Sequence, residues 1–202
     1  MSDQKIDTSM MYAVHDAFQR DMDRFAGLAE RGAALDGPDV AACWTRFTRF
    51  LHIHHTAEDT HLWPVLQERV AGGPGEAVLE RMEREHRDLT ALLDAFQHDP
   101  ERHAGRLRAA MTEHCEHEEE LALPLVQNLL TPDEWNAFGD EQRRRLGIGG
   151  AASFFPWLLD GADETARRSV LGHLPPPVRI VYRAVWRPRY LRGPRLPALA
   201  GV

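Results

Sequence analysis

His54, Glu58 and Pro64 recur as His114, Glu118 and Pro124, each sixty residues further on, with Trp63 and Val65 flanking one proline and Leu123 and Leu125 the other. A His and a Glu four residues apart share one helix face, about one turn from each other. Both pairs sit inside an apolar stripe: Phe47, Phe50 and Leu51 precede His54, with Leu62 and Val65 after it. Leu107, Ala110 and Met111 precede His114, with Leu121 and Leu125 after it. A fold that accepts this pattern buries two carboxylates between helices. Left unpaired, each costs several kcal/mol, so something cationic must meet them.

Two more segments carry apolar residues at helical spacing, and helices are expected near 8–31, 39–70, 76–97 and 103–129. Gly32 to Pro38, Gly72 to Gly75, and His98 to Glu101 around Pro100 break them. Links this short make successive helices antiparallel neighbours, so the expected fold is all-α, an up-down-up-down four-helix bundle. Thr131-Pro132-Asp133-Glu134 starts a fifth helix reaching about Leu146, with Thr as cap, Pro in the first turn and Glu three residues on. Past Gly147 to Gly150, short helices are expected at 163–174 and 178–186, separated by Pro175, Pro176 and Pro177. The reading divides the chain into a bundle, 1–135, and a helical, Arg-rich C-terminal extension, 136–202, packed on it.

The length of 202 residues suffices for one main core without disulfides. Cys43 and Cys115 form no C-x-x-C pair, which suggests neither a disulfide scaffold nor a thiolate zinc site, and a reducing cytoplasm is the expected compartment. The opening MSDQKIDTSM lacks the basic start and apolar stretch of a secretory signal. A formal charge of −7 argues against nucleic acid as a partner. That charge is unevenly spread: residues 176–202 hold six arginines and no acid, which leaves −13 on the remainder.

Helices one and three each add a histidine to their stripe: His15 among Met11, Phe18, Met22 and Phe25, and His86 among Leu79, Met82, Leu89 and Leu93. A lone stripe histidine is more often a satisfied core residue, and a single H-x-x-x-E is usually an exposed helix pair. Four histidines and two glutamates converging from four helices, with no Lys or Arg in the stripes, reverse that balance in favour of metal. Imidazole with carboxylate and no thiolate suits iron, manganese or zinc and points away from structural zinc. The count suggests two ions. If both glutamates bridge and each ion takes two histidines, an oxo or hydroxo bridge brings each to five ligands and leaves a place for a small oxygen or nitrogen species. His52, His55, His61 and His117 lie off the stripe centre and are given outer or surface roles, His55 and His117 being nearest to exceptions.

V-H-D-A-F at 14–18, H-H-T-A-E-D-T-H-L-W-P at 54–64, E-H-R at 85–87 and H-C-E-H-E-E-E-L-A-L-P at 114–124 resemble the hemerythrin-like, or HHE cation-binding, family, over about residues 8–130. The resemblance implies an up-down bundle around a non-haem, oxo-bridged pair of iron ions, with His15, His54, Glu58, His86, His114 and Glu118 as ligands. No catalytic residue is expected apart from the metal centre. The chain departs from the oxygen carriers of the family at Thr90, where they have a second histidine one turn after the first on the third helix. Their fourth-helix carboxylate also sits one residue further on, which keeps Glu119 as a rival to Glu118. With four histidines both irons would be open, and reaction is favoured over reversible dioxygen carriage.

F-F-P-W-L-L-D-G-A at 154–162, L-P-P-P-V-R at 174–179 and W-R-P-R-Y at 186–190 resemble C-terminal extensions of actinobacterial hemerythrin-like proteins. That resemblance implies handling of hydrogen peroxide or nitric oxide in oxidative or nitrosative stress. Enzymatic turnover, of catalase, peroxidase or nitric oxide-reactive type, is left open. The alternative is a dioxygen- or iron-binding, storage or redox-sensing module without turnover. A monomer or a homodimer would serve either. In the tail, Arg179, Arg183 and Arg187 recur every four residues beside Val178, Val181, Tyr182, Val185 and Trp186. The first expectation is that Phe154, Phe155, Trp157, Trp186 and Tyr190 cover the bundle while the arginines pair with its acidic body; contact with a membrane surface ranks second.

Overall fold

The computed structural model describes residues 6–147 and 149–197, and no strand occurs among them. Four rods form the bundle: α1 (Ser9–Glu30); α2 (Pro38–Ala57), continued through a π-helical turn (Glu58–Leu62) into α3 (Trp63–Val70); α4 (Pro74–His98); and α5 (Pro100–His117), continued through a second π turn (Glu118–Ala122) into α6 (Leu123–Leu129). They run up-down-up-down, with α1 and α4 both against α5, and α3 against α4. The links act as expected. Gly32, at φ 63°, takes the left-handed conformation that closes α1. The N–H groups of Gly32 and Ala33 then bond back to Ala29 and Leu28 at 2.9 and 3.0 Å. Asp99 caps α5 by accepting from the Arg102 N–H, with Pro100 in the first turn.

The π turns are additions to the helical periodicity. Each starts at the glutamate of a repeat and ends two residues before its proline. Proline has no N–H and its ring crowds the carbonyl four residues back. Widening the preceding turn relieves that conflict, so the Trp63 and Leu123 N–H groups bond five residues back, to the carbonyls of Glu58 and Glu118.

The apolar interior is split in two. One cluster holds Phe18, Phe25, Phe47, Phe50, Leu89, Phe96, Leu107 and Met111, and the other Met11, Leu62, Trp63, Leu66, Leu79, Met82 and Val126. Along every rod the stripe histidine falls where membership passes from one cluster to the other: Met11, His15, Phe18 on α1, and Met82, His86, Leu89 on α4. The histidines and glutamates therefore form a polar layer between two apolar plugs.

α7 (Pro132–Leu146) opens with the Thr131/Glu134 capping box and spans the 135/136 division. It runs back along α2, tied by Arg69 to Glu134 at 2.6 Å and by Arg49 to the Leu146 carbonyl at 2.9 Å. α8 (Ala151–Leu158), not foreseen because glycines precede it and Pro156 lies within it, and α9 (Glu164–Gly172) rest on α1. A last rod follows: α10 (Pro176–Val181), a third π turn (Tyr182–Trp186) and α11 (Arg187–Arg192). It continues six residues beyond the expected end at 186, because Pro188 stands six residues after the π turn begins, as Pro64 and Pro124 do.

Trp157 anchors this extension. It is wholly buried against Phe18 and Phe50, and its Nε1 donates to Asp21 at 2.7 Å. Asp160 beside it takes Arg24 at 2.9 Å, and its carbonyl accepts from Arg20. Phe154 is buried and Phe155, Trp186 and Tyr190 are half-buried, so the aromatics cover the bundle as expected. The arginines behave differently. Arg195 pairs with Asp160, inside the extension itself, at 3.4 Å, and Arg179 donates to the carbonyls of Leu174 and Gly172. Arg183, Arg187, Arg189 and Arg192 form no ion pair among the described residues, so the expected pairing with the acidic body is not made.

Candidate metal centre

All six residues singled out in the sequence converge on the polar layer. His15, His54, His86 and His114 are buried, and Glu58 and Glu118 have no exposed surface. With His55 they fall into two adjoining groups, each with its potential ligand atoms within 4.8 Å of one another: His15, His54, Glu58 and Glu118; and His55, His86 and His114. The two glutamates connect the groups. Glu58 sets one oxygen 3.1 Å from His54 Nε2 and the other 3.6 Å from His86 Nε2. Glu118 Oε2 lies 3.2 Å from His15 Nε2 and 3.8 Å from His114 Nε2.

These inward atoms are short of partners. Both oxygens of Glu58, both of Glu118, and Nε2 of His55, His86 and His114 are buried without a hydrogen bond. Buried polar groups are almost always satisfied, so seven orphans in one layer call for something to fill it. Three of the outward nitrogens are satisfied, while Nδ1 of His54 is buried without a partner. Nδ1 of His15 donates to Glu119 at 2.9 Å, Nδ1 of His86 to Asp59 at 2.8 Å, and Nδ1 of His114 to Glu85 at 3.1 Å. A carboxylate on Nδ1 fixes the tautomer and leaves the Nε2 lone pair facing inward, which is the arrangement metal-binding histidines use.

Among the protein groups alone the electrostatics are unbalanced. Burial and the neighbouring Glu118 push Glu58 well above the ordinary carboxylate range. Glu118 is also opposed by burial, yet the charge of His15, 3.2 Å away, and those of His54 and His114 hold it low. Burial would likewise lower His15, but Glu118 and Glu119 outweigh it and raise it to about 9. His54 and His55 are pushed well below their usual value, by burial first and then, for His55, by His86 and His114. Imidazoles around paired carboxylates, with His54 and His55 held neutral, form a donor set suited to a divalent or trivalent ion.

Glu119 is partly exposed and lies outside the layer as the partner of His15, whereas Glu118, where the π turn starts, points inward. The residue given an outer role and found inside is His55. Consecutive residues lie about 100° apart on a helix, and α2, wedged between two neighbours in the bundle, can send His54 to one and His55 to the other. Weighing α2 by a single stripe centre hides that. The supporting carboxylates had a readable signal: an acid follows each repeated glutamate, Asp59 and Glu119, at the same sixty-residue offset, and each reaches a histidine on another helix. His117 shares Glu85 with His114, at 2.8 Å, on the outer side, as expected of it; His52 is exposed and His61 half-buried. Thr90 is exposed and turns its hydroxyl to the His86 carbonyl at 2.8 Å. A groove of about 670 Å³ between α2 and α4, lined by Thr56, Asp59 and Thr90 among others, opens onto His55 and His86.

Among the described residues no helix is long and apolar enough to cross a membrane. No curated protein and no solved structure matches the chain. A family model, the hemerythrin HHE cation-binding domain, matches residues 7–126, which takes in the first three rods, the fourth as far as Val126, and every residue of the polar layer. An all-α bundle whose inner layer joins histidines and glutamates able to hold metal is what that description requires, and the chain belongs to the hemerythrin HHE cation-binding family.

Proposed function

We propose that this chain is a non-haem di-iron protein that reacts with a small oxygen or nitrogen species, hydrogen peroxide, nitric oxide or dioxygen, in oxidative or nitrosative stress. The observation that carries the reading is the set of orphaned donor atoms bridged by Glu58 and Glu118. His15 and His54 would hold one ion, and His55, His86 and His114 the other, with both glutamates shared. Bound iron would supply Lewis acidity and one-electron redox chemistry. The chain's part is to keep the Nε2 atoms aimed inward through Glu119, Asp59 and Glu85, and to dry the surroundings with Phe18, Phe50 and Met111. The groove above His55 and His86 brings a small polar molecule from solvent to the edge of the polar layer. Hydrogen peroxide suits it best, since its disproportionation needs no outside electron donor.

His55 also favours a second reading. As the fifth histidine it would saturate one ion and leave the other alone open, so the ground that Thr90 offered against reversible binding disappears. Dioxygen binding or redox sensing without turnover is then the alternative. Protein purified with iron should contain two irons per chain, show an oxo-to-iron charge-transfer band, and consume peroxide or nitric oxide faster than free iron, with the Glu58→Ala variant losing the band and the turnover. A single zinc would sink the di-iron reading. A reversible optical change on oxygenation without turnover would select the alternative.

A further inference from the structure

The C-terminal rod is gripped on one side only. Val178, Tyr182, Trp186 and Tyr190 pack inward, each four residues after the last. An α-helix would rotate such a series off its face by about 40° at each step, and the wider third π turn counters the drift. The other side is left bare: Ile180 is 68% exposed, Val185 53%, and Val181 and Leu191 39% each. Single exposed aliphatics are ordinary, whereas four on one rod make a patch.

Cations line a flank of the same rod. Arg179, Arg183 and Arg187 join Arg167 and Arg168 around a depression of about 430 Å³ whose one acid is Glu164. Glu164 is approached by Arg167 and Arg168 at 3.5 and 3.9 Å, and Arg179 is turned to backbone carbonyls. Arg183 and Arg187, with Arg189 and Arg192 further along, have no ion pair among the described residues. No acid follows Glu164 in the sequence, while the chain before the tail is strongly negative.

We propose that this rod docks the protein onto an anionic phospholipid bilayer. Ile180, Val181, Val185 and Leu191 enter the boundary between headgroups and acyl chains, and the unpaired guanidiniums take lipid phosphates. Charge complementarity selects this partner: the surface attracts the tail and repels the acidic bundle, which orients the molecule with its metal layer away from the lipid. A dissolved polyanion would satisfy the arginines but would offer the aliphatics nothing, and an apolar partner would leave the arginines unmatched.

The test is flotation of the full-length, metal-loaded protein with vesicles of phosphatidylcholine alone and of phosphatidylcholine mixed with phosphatidylglycerol. Binding is expected to the mixed vesicles only, and to fall with salt. Neutralising two charges in the variant Arg183→Gln/Arg187→Gln should weaken it about 30-fold, at about a factor of five per arginine. Val185→Asp should weaken it as well, and because all three positions are exposed, an unchanged circular dichroism spectrum will show that the fold is kept. Absence of binding at low salt, or equal binding to both vesicles, overturns the proposal. So does binding that Val185→Asp leaves untouched, which would make the arginines a general polyanion site. So would a dimer in light scattering that these variants dissociate, which would assign the face to a second copy.

Discussion

The rings of His55 and His86 stack face to face, 4.0 Å between centroids and 12° between planes. His55 comes from α2 and His86 from α4, and His114 of α5 stands against both, at 5.2 and 4.9 Å. The third histidine of this side therefore arrives from the helix opposite Thr90. A position one turn along α4 and a position on α2 can address the same point in a bundle interior, because that point is shared by helices that face each other.

His55→Ala should lower the metal content of purified protein from two ions per chain towards one, while His52→Ala, at an exposed position on the same helix, should leave it unchanged. Elemental analysis of both variants reads the difference. Equal metal in the two would return His55 to an outer role.

Glu85 accepts from both His114 and His117, at 3.1 and 2.8 Å. Removing such an outer partner frees the imidazole to turn and lowers its basicity, so Glu85→Ala should weaken metal affinity about 10–100-fold. Chelator competition monitored optically measures this. A variant that holds metal as tightly as the parent would show that packing alone orients His114.

Trp157→Phe keeps most of the apolar contact with Phe18 and Phe50 but removes the donor to Asp21, a carboxylate 2% exposed. The loss should be about 1–3 kcal/mol, the cost of leaving a buried acceptor short of a partner. Trp157→Ala adds a cavity and should cost about 3–5 kcal/mol. Urea unfolding separates the two, and a Trp157→Phe variant as stable as the parent would mean that the hydrogen bond contributes nothing.

Asp160 is mostly buried, which alone would raise its pKa, but the Arg24 hydrogen bond and the charges of Arg24, Arg20 and Arg195 outweigh burial and lower it. A folded pKa below the unfolded one stabilises at pH above the unfolded value, near 3.9, and the contribution disappears as pH falls through the folded value. Asp160→Asn should therefore cost about 1.5–3 kcal/mol at neutral pH, with the gap from the parent closing below about pH 4. Urea midpoints measured across that range check the sign; a gap that widens in acid would contradict it.

The rods, their order and the six residues of the repeat and its two partner helices were legible because periodicity, short links and the sixty-residue offset are properties of a linear pattern. Asp59 and Glu119 lay in that same offset and were passed over, since an acid beside a ligand reads as surface charge until the helix across from it is known. His55 could not be read from α2 alone: whether a residue 100° from the stripe is inside depends on which neighbours flank the helix. The unpaired arginines of the last rod illustrate the reverse, since opposite net charges along a chain promise pairing that only distance in space can deliver. Sequence by itself determined the bundle and the chemistry of its polar layer, through the cost of burying carboxylates without a cation. The tertiary structure decided which histidine completes the second group and which cations stay free, because both depend on the packing of helices far apart in the chain.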